Sequence, residues 1–225
     1  MVDEATRPPI QNALAGIVIT AQTWNPSIFT ETWLVHNRIV VPKAFAGLRL
    51  SSPEVSQFQF GETQLLVVPP SMQINFSIQG GSEGSVLART MATRVVQLLP
   101  HTPYQGLGLN FLYFLTEPRG VDFNSYVRAL LGGGSNKLLG HFSSADARFG
   151  RYFSKNYEAA RLKLDIKPVQ AGPEKKGMLL FSFNFHHEVS PLEQEARVET
   201  IVKSIESWGA LRAYAENLVQ LGSVM

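Results

Sequence analysis

The chain has 225 residues, enough for a sizeable core, and its 44% hydrophobic and 17% charged content describes a folded protein rather than a disordered one. A formal net charge of +2 is too small to imply a polyanionic partner by itself. With no cysteine there is no disulfide framework, thiol nucleophile or thiolate zinc site.

Residues 1–11, with Pro8-Pro9, read as a flexible N-terminal arm. The start Met1-Val2-Asp3-Glu4 is acidic where a signal peptide is basic, and no apolar run reaches the roughly 18 residues of a membrane helix. A cytoplasmic protein without membrane contact is the expectation.

Leu14 to Thr20 predicts a strand. Asn25-Pro26 then offers an N-cap followed by proline, opening a helix with Phe29, Trp33 and His36 on one side. Arg38 to Val41 suggests a short strand and Pro42 to Pro53 a surface loop. Ser56 to Phe60 alternates strictly, turns at Gly61-Glu62-Thr63 and returns through Gln64 to Val68 as a hairpin. Gln73 to Gln79 alternates again, with Ile74, Phe76 and Ile78 facing a core. A helix over Ser85 to Leu99 carries Leu87, Met91, Val95 and Leu98 on one stripe.

The run Tyr104 to Leu115 is the longest β-rich stretch, and its near-continuous apolar end is the mark of a central strand. Asp122 is a candidate N-cap for a helix with Phe123, Tyr126, Val127, Leu130 and Leu131, which Gly132-Gly133-Gly134 ends. Ser135 to Gly150 shows no periodicity. Tyr157 to Lys167 and Met178 to Val189 predict two further strands. Ser190-Pro191-Leu192-Glu193 combines an N-cap serine, a first-turn proline and a capping-box glutamate before a last helix carrying Ile201, Ile205 and Trp208.

Read as elements, the chain is α+β: a β-α-β-β-α order used twice, over about 12–103 and 104–225. This is a ferredoxin-like order in tandem. A single body spanning 1–225 is expected, its halves sharing or abutting a mostly antiparallel sheet with helices on one face.

Chemistry is sparsely signalled. In His186-His187-Glu188, strand alternation lets only His186 and Glu188 share a side, and a zinc site needs partners from His36, His101 or His141. Gly132 to Lys137 follows a helix and lacks the phosphate-loop pattern, and Gly106-Leu107-Gly108 lacks the third glycine of a dinucleotide fingerprint. No catalytic residue, metal ligand or cofactor is assigned.

Charge is unevenly spread. Lys137 to Lys176 holds nine Lys/Arg against four Asp/Glu, whereas the chain from Gly177 onward holds three against six. Lys137, Arg148, Phe149, Arg151, Tyr152, Lys155, Arg161 and Lys163 mix cations with rings, the combination that pairs with phosphates and stacks on bases. The tandem order is similar to that of CRISPR-associated RNA-binding and RNA-processing proteins, a resemblance of arrangement that implies RNA as a ligand. The leading expectation is a non-catalytic interaction or assembly module that self-associates or binds a protein partner. The alternatives are an RNA or single-stranded nucleic-acid binder using segment 137–176, and a metal-dependent hydrolase.

Overall fold

The computed structural model describes residues 10–78, 83–116, 122–132, 144, 147–171 and 176–222. Nine strands form one sheet: β1 (Ile10–Ala21), β2 (Arg49–Ser51), β3 (Ser56–Phe60), β4 (Thr63–Val68), β5 (Ser71–Ser77), β6 (Tyr104–Leu115), β7 (Arg151–Tyr157), β8 (Ala160–Ala171) and β9 (Lys176–Glu188). Their order is β2-β3-β4-β5-β1-β6-β9-β8-β7, and every neighbouring pair is antiparallel. Five helices accompany them among the described residues: α1 (Glu31–His36), α2 (Glu83–Leu98), α3 (Phe123–Leu131), α4 (Gln194–Glu206) and α5 (Trp208–Gly222). None is long and apolar enough to cross a membrane.

The same connection occurs on each side of the central β1–β6 pair. A strand leads through a helix into a meander, whose last strand (β5 or β9) returns beside the first, and a helix follows. The expected strands 56–60, 64–68 and 73–79 are β3, β4 and β5. The strands that were not expected are β2, inside the expected 42–53 loop and paired with β3, and β7, which precedes β8 and β9.

Period-two alternation makes the sheet two-faced. Ile74, Ile17, Leu109, Phe185 and Leu162 lie side by side across five strands, all buried. On this face α2 packs against β5, β1 and β4, α4 against β6, α5 against β6 and β9, and α3 against β9. Trp208, the first residue of α5, reaches both sides at once: its ring centroid lies 5.4 Å from that of Phe76 on β5 and 4.4 Å from that of Phe111 on β6.

Several local expectations change. Ile10 and Gln11 belong to β1; the rest of the expected arm lies outside the described residues. Asn25 caps only a 3-10 turn, Pro26–Ile28, because Thr30 accepts from the Trp33 amide and starts α1 afresh. Arg38–Val41 is not a strand: Arg38 has φ 55° and turns the chain. Ser190 does not cap α4. Its amide donates to Glu188 Oε1 at 3.2 Å, and α4 begins at Gln194 behind Glu193. A local side-chain bond outcompeted the capping box.

Candidate functional site

The largest departure from expectation is also the most informative region. Residues 151–157 form β7, the last strand of the sheet, and none was expected over 151–156. The strand expected from Tyr157 to Lys167 is split by the Glu158-Ala159 turn, so that Tyr157 ends β7 and β8 starts at Ala160. β7 escapes recognition because an edge strand is wet on both faces: no residue of β7 is fully buried. Tyr152 is 63% exposed and Phe153 48%, which is high for two rings on adjacent residues.

The turn into β8 decides which way the β7 backbone faces. Glu158 and Ala159 link Tyr157 to Ala160 as a two-residue hairpin loop, and Glu158 takes φ 50°, the positive value such loops require. The residues flanking a two-residue loop exchange hydrogen bonds, and alternation carries the pattern back along the strand. Tyr157, Lys155, Phe153 and Arg151 therefore bond to β8. The N–H and C=O groups of Asn156, Ser154 and Tyr152 point outward, and no described strand pairs with them.

Strand alternation also divides the basic and aromatic residues. Arg151, Phe153 and Lys155 stand on the helix-bearing face, opposite Ile166, Leu164 and Leu162 of β8. Arg151 Nε donates to the Leu131 carbonyl at 3.3 Å, at the end of α3. Lys155 Nζ lies 5.2 Å from the Tyr214 ring centroid and 5.8 Å from that of Tyr157, and those two rings stack at 4.1 Å. Burial, more than the nearby Glu158 carboxylate, holds the Tyr157 phenol above its ordinary value. Phe149 packs under the Arg128 guanidinium, 5.4 Å from it, and Arg148 Nη1 donates to the Ala147 carbonyl. Tyr152, Arg161 and Lys163 share the opposite face. Lys137 lies outside the described residues.

Beside β7, on the helix side, a cleft of about 420 Å³ separates the strand from α5. Phe153, Leu164, Phe181, Leu218 and Leu221 line it, with Lys155 on its rim. Leu221 is 66% exposed.

No described helix packs on the other sheet face, where a polar row crosses the strands beside apolar residues such as Leu14, Leu66, Leu112, Phe114 and Leu180. One row runs Ser154, Lys163, Asn184, Asn110, Gly16, Asn75, Gln64, Gln59 across eight strands. Asn184 Nδ2 donates to Asn110 Oδ1 at 2.7 Å. The strand glycines make room for these amides: a Cβ on Gly16 would sit 2.7 Å from Asn75 Oδ1, and one on Gly108 2.9 Å from Asn184 Nδ2. Along β8, Arg161, Lys163 and Lys167 share this face, with Lys167 bonded to Asp165 at 2.9 Å and Arg161 to Asn156 Oδ1 at 3.0 Å.

The histidines separate as alternation requires. His186 lies on the polar face, its Nε2 3.7 Å from Glu188 Oε2. Hydrogen bonds from Ser190, and secondarily the neighbouring His186, hold the Glu188 carboxyl below its ordinary value. His187 points inward, buried, with Nδ1 3.2 Å from Ser204 Oγ and Nε2 unpartnered. Desolvation, with a smaller contribution from His186, lowers its pKa. Among the described residues no three His, Asp or Glu side chains converge as metal ligands; His141 lies outside them.

The chain matches no protein-family model, and no curated protein matches it in sequence.

Proposed function

We propose that this chain is a non-catalytic assembly module that joins a second copy of itself along the outer edge of β7. The observation that carries the reading is a seven-residue edge strand whose outward backbone groups pair with no described strand, and which bears two exposed rings, Tyr152 and Phe153. Natural sheets shorten, cover or charge such edges, since an open one recruits another strand. The opposite edge is shortened in this way: β2 is three residues long, and its Arg49 is held by Glu31 at 2.9 Å. We read the architecture as two ferredoxin-like units sharing a sheet. The neighbourhood β4-β5-β1-β6 supports this, with β7 as a strand added at the free end.

Light scattering on the full chain at rising concentration tests the reading. Ser154→Pro removes one outward N–H while leaving the bonds to β8 in place, and proline is tolerated at such positions. The reading expects a dimer that Ser154→Pro returns to monomer with unchanged circular dichroism. A monomeric wild-type chain at high micromolar concentration overturns it, as does a dimer indifferent to Ser154→Pro.

A second reading rests on the polar face, where Arg161, Lys163 and Lys167 stand beside Tyr152 and the amide row. A single-stranded nucleic acid would find phosphate contacts and one stacking ring there. It expects binding that weakens steeply with salt and with Arg161→Ala and Lys163→Ala. Affinity indifferent to both rules it out.

A further inference from the structure

The assembly reading leaves open how two copies of β7 would align, and the strand's own chemistry narrows the choice. We infer that the partner is a second copy of this chain, paired antiparallel across a two-fold axis at Ser154, so that each cation meets a ring. This rests on the assembly reading and adds register and chemistry to it.

Only registers that place outward-facing residues opposite one another form the ladder, which restricts pairing to even steps. Three such registers overlap five or more residues of β7. Placing Phe153 on the axis sets Arg151 opposite Lys155 twice over. Placing Lys155 on the axis sets Lys155 opposite its own copy. Like charges directly opposite are destabilising.

The third register, with Ser154 on the axis, pairs all seven residues and opposes no like charges. Ser154 meets Ser154 and Tyr152 meets Asn156 in the hydrogen-bonded pairs. Phe153 meets Lys155 and Arg151 meets Tyr157 in the other pairs, where side chains approach more closely. Each of those four contacts sets a cation beside an aromatic ring. Remaining like charges meet only diagonally, roughly 7–8 Å apart.

The register also uses the cleft. The partner's Phe153 arrives on the helix-bearing face beside Lys155, whose side chain already leans over Tyr214 at the cleft rim. Phe153 and Leu221, both exposed in the single chain, are then covered from the partner's side. The two sheets join into one of eighteen strands, closed by an isologous contact. The axis leaves β2 as the outer edge at both ends, so the assembly stops at two copies.

The chain contains no cysteine, so a single introduced thiol reports the register directly. Phe153→Cys, Ser154→Cys and Lys155→Cys would be oxidised separately with copper phenanthroline and the covalent dimer followed on non-reducing gels. Across the axis Cα atoms stand near 5.5 Å, within disulfide reach, so Ser154→Cys is expected to cross-link at least about tenfold faster than the other two. Dominant cross-linking at 153 or 155 overturns the register and leaves edge pairing intact. No cross-link at any of the three, in a chain whose dimer still yields to Ser154→Pro, also overturns it. A monomeric wild-type chain is the separate result that removes the assembly reading itself.

Discussion

Trp208→Ala probes the junction on which the single sheet depends. Trp208 is 3% exposed and packs tilted against the rings of Phe76 of β5 and Phe111 of β6, one from each half of the sheet. A buried tryptophan removes on the order of 200 Å² from water. At about 25 cal/mol per Å² that is roughly 5 kcal/mol, an upper figure because the unfolded chain already hides some of it. Alanine keeps only the Cβ, and large-to-small aromatic changes cost about 3–5 kcal/mol once the cavity is included. A loss near 4 kcal/mol is therefore expected, which for a chain of this size lowers Tm by roughly 8–16 °C. Urea and thermal unfolding, followed by circular dichroism and tyrosine fluorescence together, measure it. Both probes should report one shared transition displaced downward, since both sides lose the same contact. A loss below about 1.5 kcal/mol, or two transitions of which only one moves, would refute the reasoning.

Two further predictions come from single side chains. Burial lowers the His187 pKa, so the unfolded chain takes up the proton more readily. Its contribution to stability is complete above the ordinary imidazole value of 6.5 and is lost as pH falls from there toward the folded value, by at most about 1.4 kcal/mol per pH unit. Urea titrations between pH 7.5 and 5 should show this slope, and His187→Gln should flatten it; an identical slope in the variant assigns it elsewhere. Glu158 occupies φ 50° in the β7–β8 turn, where glycine is at ease. Glu158→Gly is expected to leave the fold unchanged and to stabilise it by roughly 0.5–1 kcal/mol, allowing for the greater freedom of the unfolded chain. A destabilised variant in the same unfolding assay would contradict the turn geometry.

The parts of the fold legible in the sequence are those where one physical signal dominates. Ile74 and Phe76 alternate with Gln73 and Asn75 because β5 has one dry and one wet face, and that alternation locates the strand. Asp122 accepts from the Ser125 amide at 2.9 Å and caps α3 as its residue type suggests. Where two signals compete, the sequence is ambiguous. Ser190 had a capping-box pattern and a nearby Glu188, and the carboxylate prevailed.

The candidate site was only half legible. Counting charges located the segment, because electrostatics does not depend on strand boundaries. Dividing its residues between two faces requires knowing that β7 exists, and an edge strand exposed on both sides shows no alternation. Arg151 and Lys155 thus stand apart from Arg161 and Lys163 although all four fall in one basic stretch. The Asn/Gln row was equally hidden: its members are far apart in sequence, and only strand register aligns them.

Amide hydrogen exchange at Tyr152, Ser154 and Asn156, resolved by NMR at low and high protein concentration, addresses the edge of β7 most directly. Phe153 and Lys155 bond to β8 in either state and should exchange slowly throughout. The account predicts that the three outward amides are fast in dilute solution and become protected as concentration rises. Protection at those three amides that does not change with concentration, or fast exchange at every concentration, would contradict it.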